Sequence, residues 1–237
     1  MAGKITLPGI FLALILALAS GPGRAAEVLP DSTYLVPQRL VSVDGGRRLN
    51  LFCLGQDQDG PTVLLDSGHG ESMVVWHAVQ GAVARFARVC AYDRAGFGFS
   101  DPPDQPPDAM AAVRDIHALL AAADIETPIL YVGHSISGLY GVLLQALYPG
   151  DVAGEVLVDP AFAGQSQAIM ANLPPAVRAG AVAMYKARLQ HMRDCAVMAA
   201  PLPKSCLEGE AGPAKLGPEL AAFQQKQIAT PGYQRTN

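Results

Sequence analysis

One serine in this chain stands where covalent chemistry is possible, in the run Pro128 to Gly141, PILYVGHSISGLYG. Ile129-Leu130-Tyr131-Val132 is continuously apolar and ends at Gly133. His134, Ser135, Ile136, Ser137 and Gly138 follow. Leu139, Val142, Leu143, Ala146 and Leu147 then return at helical spacing until Pro149-Gly150. Strand, sharp turn and helix together make the setting in which a G-x-S-x-G-like segment presents a nucleophile.

The residue types fit that task. A nucleophilic serine must stand clear of the sheet, so the chain turns abruptly and holds Ser135 in a strained conformation. Side chains two before and two after it would collide, and Gly133 and Ser137 are both small. A helix beginning at the serine points its free N–H groups and the positive end of its dipole there. The N–H of Ile136 is then placed to bind the oxyanion of a tetrahedral intermediate.

The elements around that turn read as alternating strands and helices. Leu40 to Val43 runs into Asp44-Gly45-Gly46 as a hairpin, and Leu49, Leu51 and Cys53 alternate on the return strand. Thr62-Val63-Leu64-Leu65, Arg88 to Tyr92 and Glu155 to Asp159 are short apolar runs, the mark of strands buried on both faces. Helices are expected over Val75 to Phe86, with Trp76, Val79, Val83 and Phe86 on one side, and over Ala109 to Ala123. This pattern predicts βαβ units and a mostly parallel sheet, an α/β fold. After Val158 the character changes. Pro174-Pro175 opens a helix to about Met198, and Pro218 to Ile228 forms another.

The chain has 237 residues, 50% hydrophobic and 16% charged, enough for one domain with a sizeable core. A net charge of -4 gives no basic footprint for nucleic acid. Residues 1–26 read as a signal peptide: Lys4 precedes an apolar stretch from Ile5 to Ala19, and small residues lead to cleavage after Ala25 or Ala26. The expected location is periplasmic or secreted, with no stable membrane span after cleavage. Cys53, Cys90, Cys195 and Cys206 are an even count in an exported chain, which points to disulfides. Cys195 and Cys206 enclose a short loop and are the favoured pair. Cys53 and Cys90 are either buried thiols or a second bridge. There is no C-x-x-C, and the spacing of His and Cys offers no metal site.

The segments SGHG, YDRAGFGFSDP, VGHSISG and LVLVDP together resemble the α/β-hydrolase family, in its exported esterase- and lipase-like group. The resemblance covers roughly Leu40 to Phe162. It implies a sheet flanked by helices, Ser135 as nucleophile, and a second oxyanion N–H from the loop after Thr62 to Leu65. Ser67-Gly68 stands where the family has His-Gly, which puts that N–H on His69. Asp93-Arg94 with Gly96 and Gly98 matches a family turn whose expected work is structural. Domains follow as 27–160 for the hydrolase core and 161–237 for a helical cap.

In this family an acid and then a histidine follow the serine, on strand ends beyond the cap. The residues after Asp159 read as cap, so the closing core strands and the late histidine are expected to be missing, as in a truncated chain. Asp159 and His191 are the local acid and base candidates. Each has a plainer reading, Asp159 as an Asp-Pro turn former and His191 as a solvated helix residue. His77 and His117 read as structural, and His134 as support for the turn. The expected activity is hydrolysis of an ester or similar acyl bond in a small-molecule substrate through a Ser135 acyl-enzyme. It needs no cofactor. The alternative is an inactive hydrolase-like product whose last strand has an unpaired edge.

Overall fold

The computed structural model describes residues 29–104, 108–198, 201–207 and 216–230. The expected signal peptide, 1–26, lies outside the described residues. The hairpin signal at Asp44-Gly45-Gly46 forms as expected. Gly45 has φ 76°, and the strands β1 (Arg39–Ser42) and β2 (Arg48–Leu54) pair antiparallel on either side. Four more strands follow: β3 (Val63–Asp66), β4 (Val89–Tyr92), β5 (Ile129–His134) and β6 (Val152–Val158).

The sheet order is β1-β2-β4-β3-β5-β6. β2 meets β4 antiparallel, and β3, β4, β5 and β6 run parallel. The four parallel strands therefore end on one edge of the sheet, at Asp66, Tyr92, His134 and Val158. The helices between them are α1 (His77–Val83), α2 (Ala109–Ala122) and α3 (Ile136–Leu147).

The strand period of two divides the core into two layers. Leu49, Leu51, Leu64, Tyr92, Ile129 and Tyr131 face Val113, Ile116, Leu120 and Leu144 of α2 and α3. Val63, Leu65, Val89 and Ala91 face the other way, toward Tyr34, Met73, Trp76 and Leu220. Leu64, Ile116 and Ile129 are fully enclosed, and each such side chain contributes about 1.5–3 kcal/mol by leaving water. Asp108 caps α2, its carboxylate accepting the Ala111 N–H at 2.7 Å.

Two expectations are corrected here. Val79 and Phe86 do not share the buried side of Trp76: Val79 is 41% exposed within α1, and α1 ends at Val83, so the helical period stops short of Phe86, which is 69% exposed. β6 is not buried on both faces. It is the sheet's edge, with no strand beyond it among the described residues, and Val156 is 57% exposed.

After Val158 the described elements are helices: α4 (Gln165–Asn172), α5 (Pro175–Ala196), α6 (Lys204–Leu207) and α7 (Pro218–Ile228). α4 to α6 pack on one another, whereas α7 returns to the core, with Leu220 against Tyr34 and Ile228 against Phe97. Cys195 and Cys206 are bonded as expected, and Cys53 and Cys90, paired in register across β2 and β4, form the second bridge. Among the described residues no helix is long and apolar enough to cross a membrane.

Candidate active site

Ser135 sits between the end of β5 and the first residue of α3, with φ 53° and ψ −115°. That is the left-handed side of backbone space, which costs a non-glycine residue about 1–3 kcal/mol and persists only where the surroundings impose it. Here they do. The Ser135 N–H donates to the Val158 carbonyl at 3.0 Å, and the Ser135 carbonyl accepts from the Ala161 N–H at 2.8 Å. The turn leaving β6, with Asp159 itself at φ 44°, thus grips the serine peptide from both ends.

The small residues around it are small for steric reasons. A Cβ on Gly133 would stand 2.7 Å from the Ser137 carbonyl oxygen and 2.9 Å from the Tyr131 ring. A Cβ on Gly138 would overlap Pro160, which follows Asp159. Ser137 is fully buried and is more than a tolerated substitute for glycine. Its hydroxyl donates to the Ser67 carbonyl and accepts from Arg94 Nη1, which joins the serine turn to the loop after β3.

Arg94 organises that junction. Its side chain is only 10% exposed, and Nη1 lies 2.7 Å from Asp66 Oδ1. It also donates to the carbonyls of Ser67 and Gly68, and it lies over the rings of Phe97 and Tyr140 at 5.2 and 5.8 Å. Burial works against the Arg94 charge, but the Asp66 carboxylate overrides it and holds the guanidinium above its ordinary pKa. The remaining Asp66 oxygen accepts from Tyr131 Oη at 2.6 Å, and Tyr131 is raised well above its ordinary pKa by burial and by the Asp66 charge.

The neighbouring Asp93 is fully enclosed and accepts from Asn50 Nδ2, the Met73 N–H and the Phe99 N–H. Burial raises its pKa against the pull of those donors. Asp93 and Arg94 therefore hold loops together, as the sequence led one to expect.

A family model described as "Alpha/beta hydrolase family" matches residues 63–232, which span every element just described from β3 to α7. The chain belongs to the alpha/beta hydrolase family. Similar curated proteins include YqjL of Bacillus subtilis, 33% identical over 43% of this chain and 40% of its own length. The 2-hydroxy-6-oxo-6-(2'-aminophenyl)hexa-2,4-dienoic acid hydrolase of Metapseudomonas resinovorans is 28% identical over 58% of this chain and 47% of its own. Among solved structures, the enol-lactonase of Burkholderia xenovorans superposes with a TM-score of 0.55 at 21% identity. That match covers 83% of this chain and 71% of the enzyme. The chain thus spans less than half the length of these two curated relatives.

Within this family framework the sequence-derived candidates separate. Ser135, Ile136 and Asp159 are brought together at the strand ends. His69 is exposed in the loop that faces the serine turn, between Gly68 and Gly70, the latter at φ 72°. His191 lies elsewhere in the hydrogen-bond network: Nε2 is 2.8 Å from the Ser205 carbonyl oxygen and 3.6 Å from Cys195 Sγ, at the tip of α5. His117 stacks on Tyr148 and pairs with Asp151, and His77 sits on the Val74 carbonyl.

Sequence reasoning missed Glu71. Its Oε2 is 3.0 Å from His134 Nδ1 and accepts the Gly68 N–H at 2.7 Å. The signal was an acidic residue directly after Gly70, which alone points to nothing.

Proposed function

We propose that this chain is a serine hydrolase that cleaves an ester or similar acyl bond through a covalent Ser135 intermediate. One observation carries the reading: Ser135 is held at φ 53° between a strand end and a helix start, its peptide gripped by Val158 and Ala161. Strain of this kind is kept where it presents a reactive group.

Ser135 Oγ attacks the acyl carbon as its proton passes to a base. The N–H groups of Ile136 and His69 hold the oxyanion, helped by the positive end of α3. Collapse expels the alcohol and leaves the acyl-enzyme, and water then releases the acid. Asp159 is the acid-base candidate whose turn touches the serine. His191 could serve only after leaving the Ser205 carbonyl. The lactonase and the dienoic acid hydrolase named above support a carbonyl-bearing small molecule as substrate. Two disulfides support the expected export to a periplasmic or extracellular location.

Intact-mass measurement after treatment with a fluorophosphonate probe tests the reading. One adduct per chain, absent from folded Ser135→Ala, is the expected result. A folded wild-type protein that takes no adduct overturns it.

A further inference from the structure

The end of the sheet opposite Ser135 carries a cleft that the acyl chemistry does not use. The parallel strands begin there, and residues just ahead of them form its walls: Thr62 before β3, Arg88 before β4 and Pro128 before β5. The loop after β2 adds Gln56 and Gln58, and the segment leading into β5 adds Glu126. The cleft has a volume of about 520 Å³, within the range of about 300–1,000 Å³ that holds a small organic ligand. β5 has 6 residues at about 3.3 Å each, so roughly 20 Å separates the cleft from Ser135. Ligands of open α/β sheets sit at the carboxyl ends of the strands, where Ser135 is, and this cleft lies at the amino ends.

Backbone contacts fix its walls. A Cβ on Gly55, which has φ 68°, would stand 2.6 Å from the Ala87 carbonyl oxygen. The loop carrying Gln56 and Gln58 therefore leaves β2 pressed against the chain that leads into Arg88. The Val63 N–H donates to the Arg88 carbonyl at 2.8 Å, and the Leu130 N–H donates to the Thr62 carbonyl at 2.9 Å. The Cys53–Cys90 bridge joins β2 to β4 at this same end of the sheet.

Two side chains lining the cleft carry opposite charges and do not meet. Arg88 Nε is buried and has no hydrogen-bond partner among the described residues. Arg88 and Glu126 form no ion pair with each other. A buried guanidinium donor without an acceptor is costly, and the planar fork of an arginine matches a carboxylate. A lone anion on Arg88 would share the cleft with the Glu126 carboxylate. A lone cation on Glu126 would share it with the guanidinium. A ligand bearing both charges meets each with its opposite.

We propose that this cleft binds a short zwitterionic peptide, with its carboxylate on Arg88 and its terminal ammonium on Glu126. The two protein charges stand too far apart to pair, which favours a ligand whose own charges lie at its two ends. The peptide amide between those ends needs a donor and an acceptor, and the side-chain amides of Gln56 and Gln58 offer both. A dipeptide is the simplest ligand of this kind.

The test titrates the whole folded chain with alanyl-alanine by isothermal calorimetry. N-acetyl-alanyl-alanine, which lacks the ammonium, and alanyl-alanine amide, which lacks the carboxylate, are titrated beside it. The expected result is one saturable site for the dipeptide, with each capped probe about tenfold or more weaker, the effect of losing one hydrogen bond to a charged group. Arg88→Met should weaken the dipeptide to the same degree and bind it and its amide alike. Glu126→Gln should likewise bind the dipeptide and its acetylated form alike. Ser135→Ala should bind as the wild type does, and circular dichroism confirms that each variant is folded. The proposal is overturned if the dipeptide shows no saturable binding, if either capped probe binds as tightly, or if folded Arg88→Met binds as the wild type does. Loss of binding in Ser135→Ala would also overturn it, by putting the ligand at the other end of β5.

Discussion

The Glu71 carboxylate lies 3.0 Å from His134 Nδ1, and the same oxygen accepts the Gly68 N–H at 2.7 Å. One atom thus ties the loop after β3 to the residue preceding Ser135. Gly68 is glycine because of it, since a Cβ there would stand 2.7 Å from His134 Nδ1. Glu71→Ala removes both bonds. The fluorophosphonate labelling rate of Ser135 should fall roughly 10- to 100-fold, because small misplacements of a reacting group have effects of that size. Glu71→Gln keeps an accepting oxygen and should lie between the two. Equal rates in all three proteins would show that the tie is irrelevant to reactivity.

Arg94 compensates a carboxylate that water cannot reach, since the Asp66 side chain is 0% exposed. Arg94→Met leaves that charge with the Tyr131 hydroxyl as a partner but no cation. Unfolding by urea should show a loss of about 3–5 kcal/mol, as expected when one member of a buried pair is removed. A loss below ~1 kcal/mol would mean that the loops hold without it.

Asp93 should give stability a recognisable pH dependence. Its folded pKa is raised by burial, so between its ordinary value and the raised one the folded chain binds a proton that the unfolded chain does not. Stability contributed in that window falls as pH rises. Asp93→Asn cannot titrate there. The stability advantage of the wild type over the variant should therefore shrink as pH climbs from about 4, the ordinary range of an aspartate. Denaturation curves at several pH values check the sign, and an advantage that widens would contradict it.

The β6 edge offers consecutive exposed apolar side chains, Val156, Leu157 and Val158. An exposed apolar stretch on an edge strand templates pairing between chains. Val156→Lys should leave the free energy of unfolding within about 0.5 kcal/mol of the wild type. It should also lower light scattering at high protein concentration. Unchanged scattering would show that the edge is not where molecules associate.

Much of this was legible in local pattern. Ile129 to Val132 reads as a strand because four apolar residues precede a glycine, and Ser135 reads as a turn residue because helical spacing begins right after it. The short separation of Cys195 and Cys206 points to their pairing. The readings that failed depend on neighbours. An unbroken apolar run such as Val156-Leu157-Val158 identifies a strand without saying whether another strand lies beside it. Phe86 keeps the helical period on paper, yet the helix ends before reaching it. Glu71 escaped because its partner is 63 residues away in the chain. Arg94 was read as a loop tie, but nothing in YDRAG tells that it touches Asp66, Ser67, Gly68 and Ser137 together.

The return of α7 to the core has a consequence for how the protein is made. Leu220 packs in the same layer as Tyr34, Val63 and Leu65, and a Cβ on Gly217 would stand 2.8 Å from Asp31 Oδ2. Among the described residues, the layer that holds Ile116 and Leu144 has all its buried members once Val152 has emerged. The opposite layer waits for Leu220. A chain that emerges N-terminus first therefore passes through an interval in which, among the described residues, one layer has its members and the other still lacks Leu220. In that interval Tyr34, Val63 and Leu65 lack their contact with Leu220, and transiently exposed apolar surface of this kind is prone to aggregation.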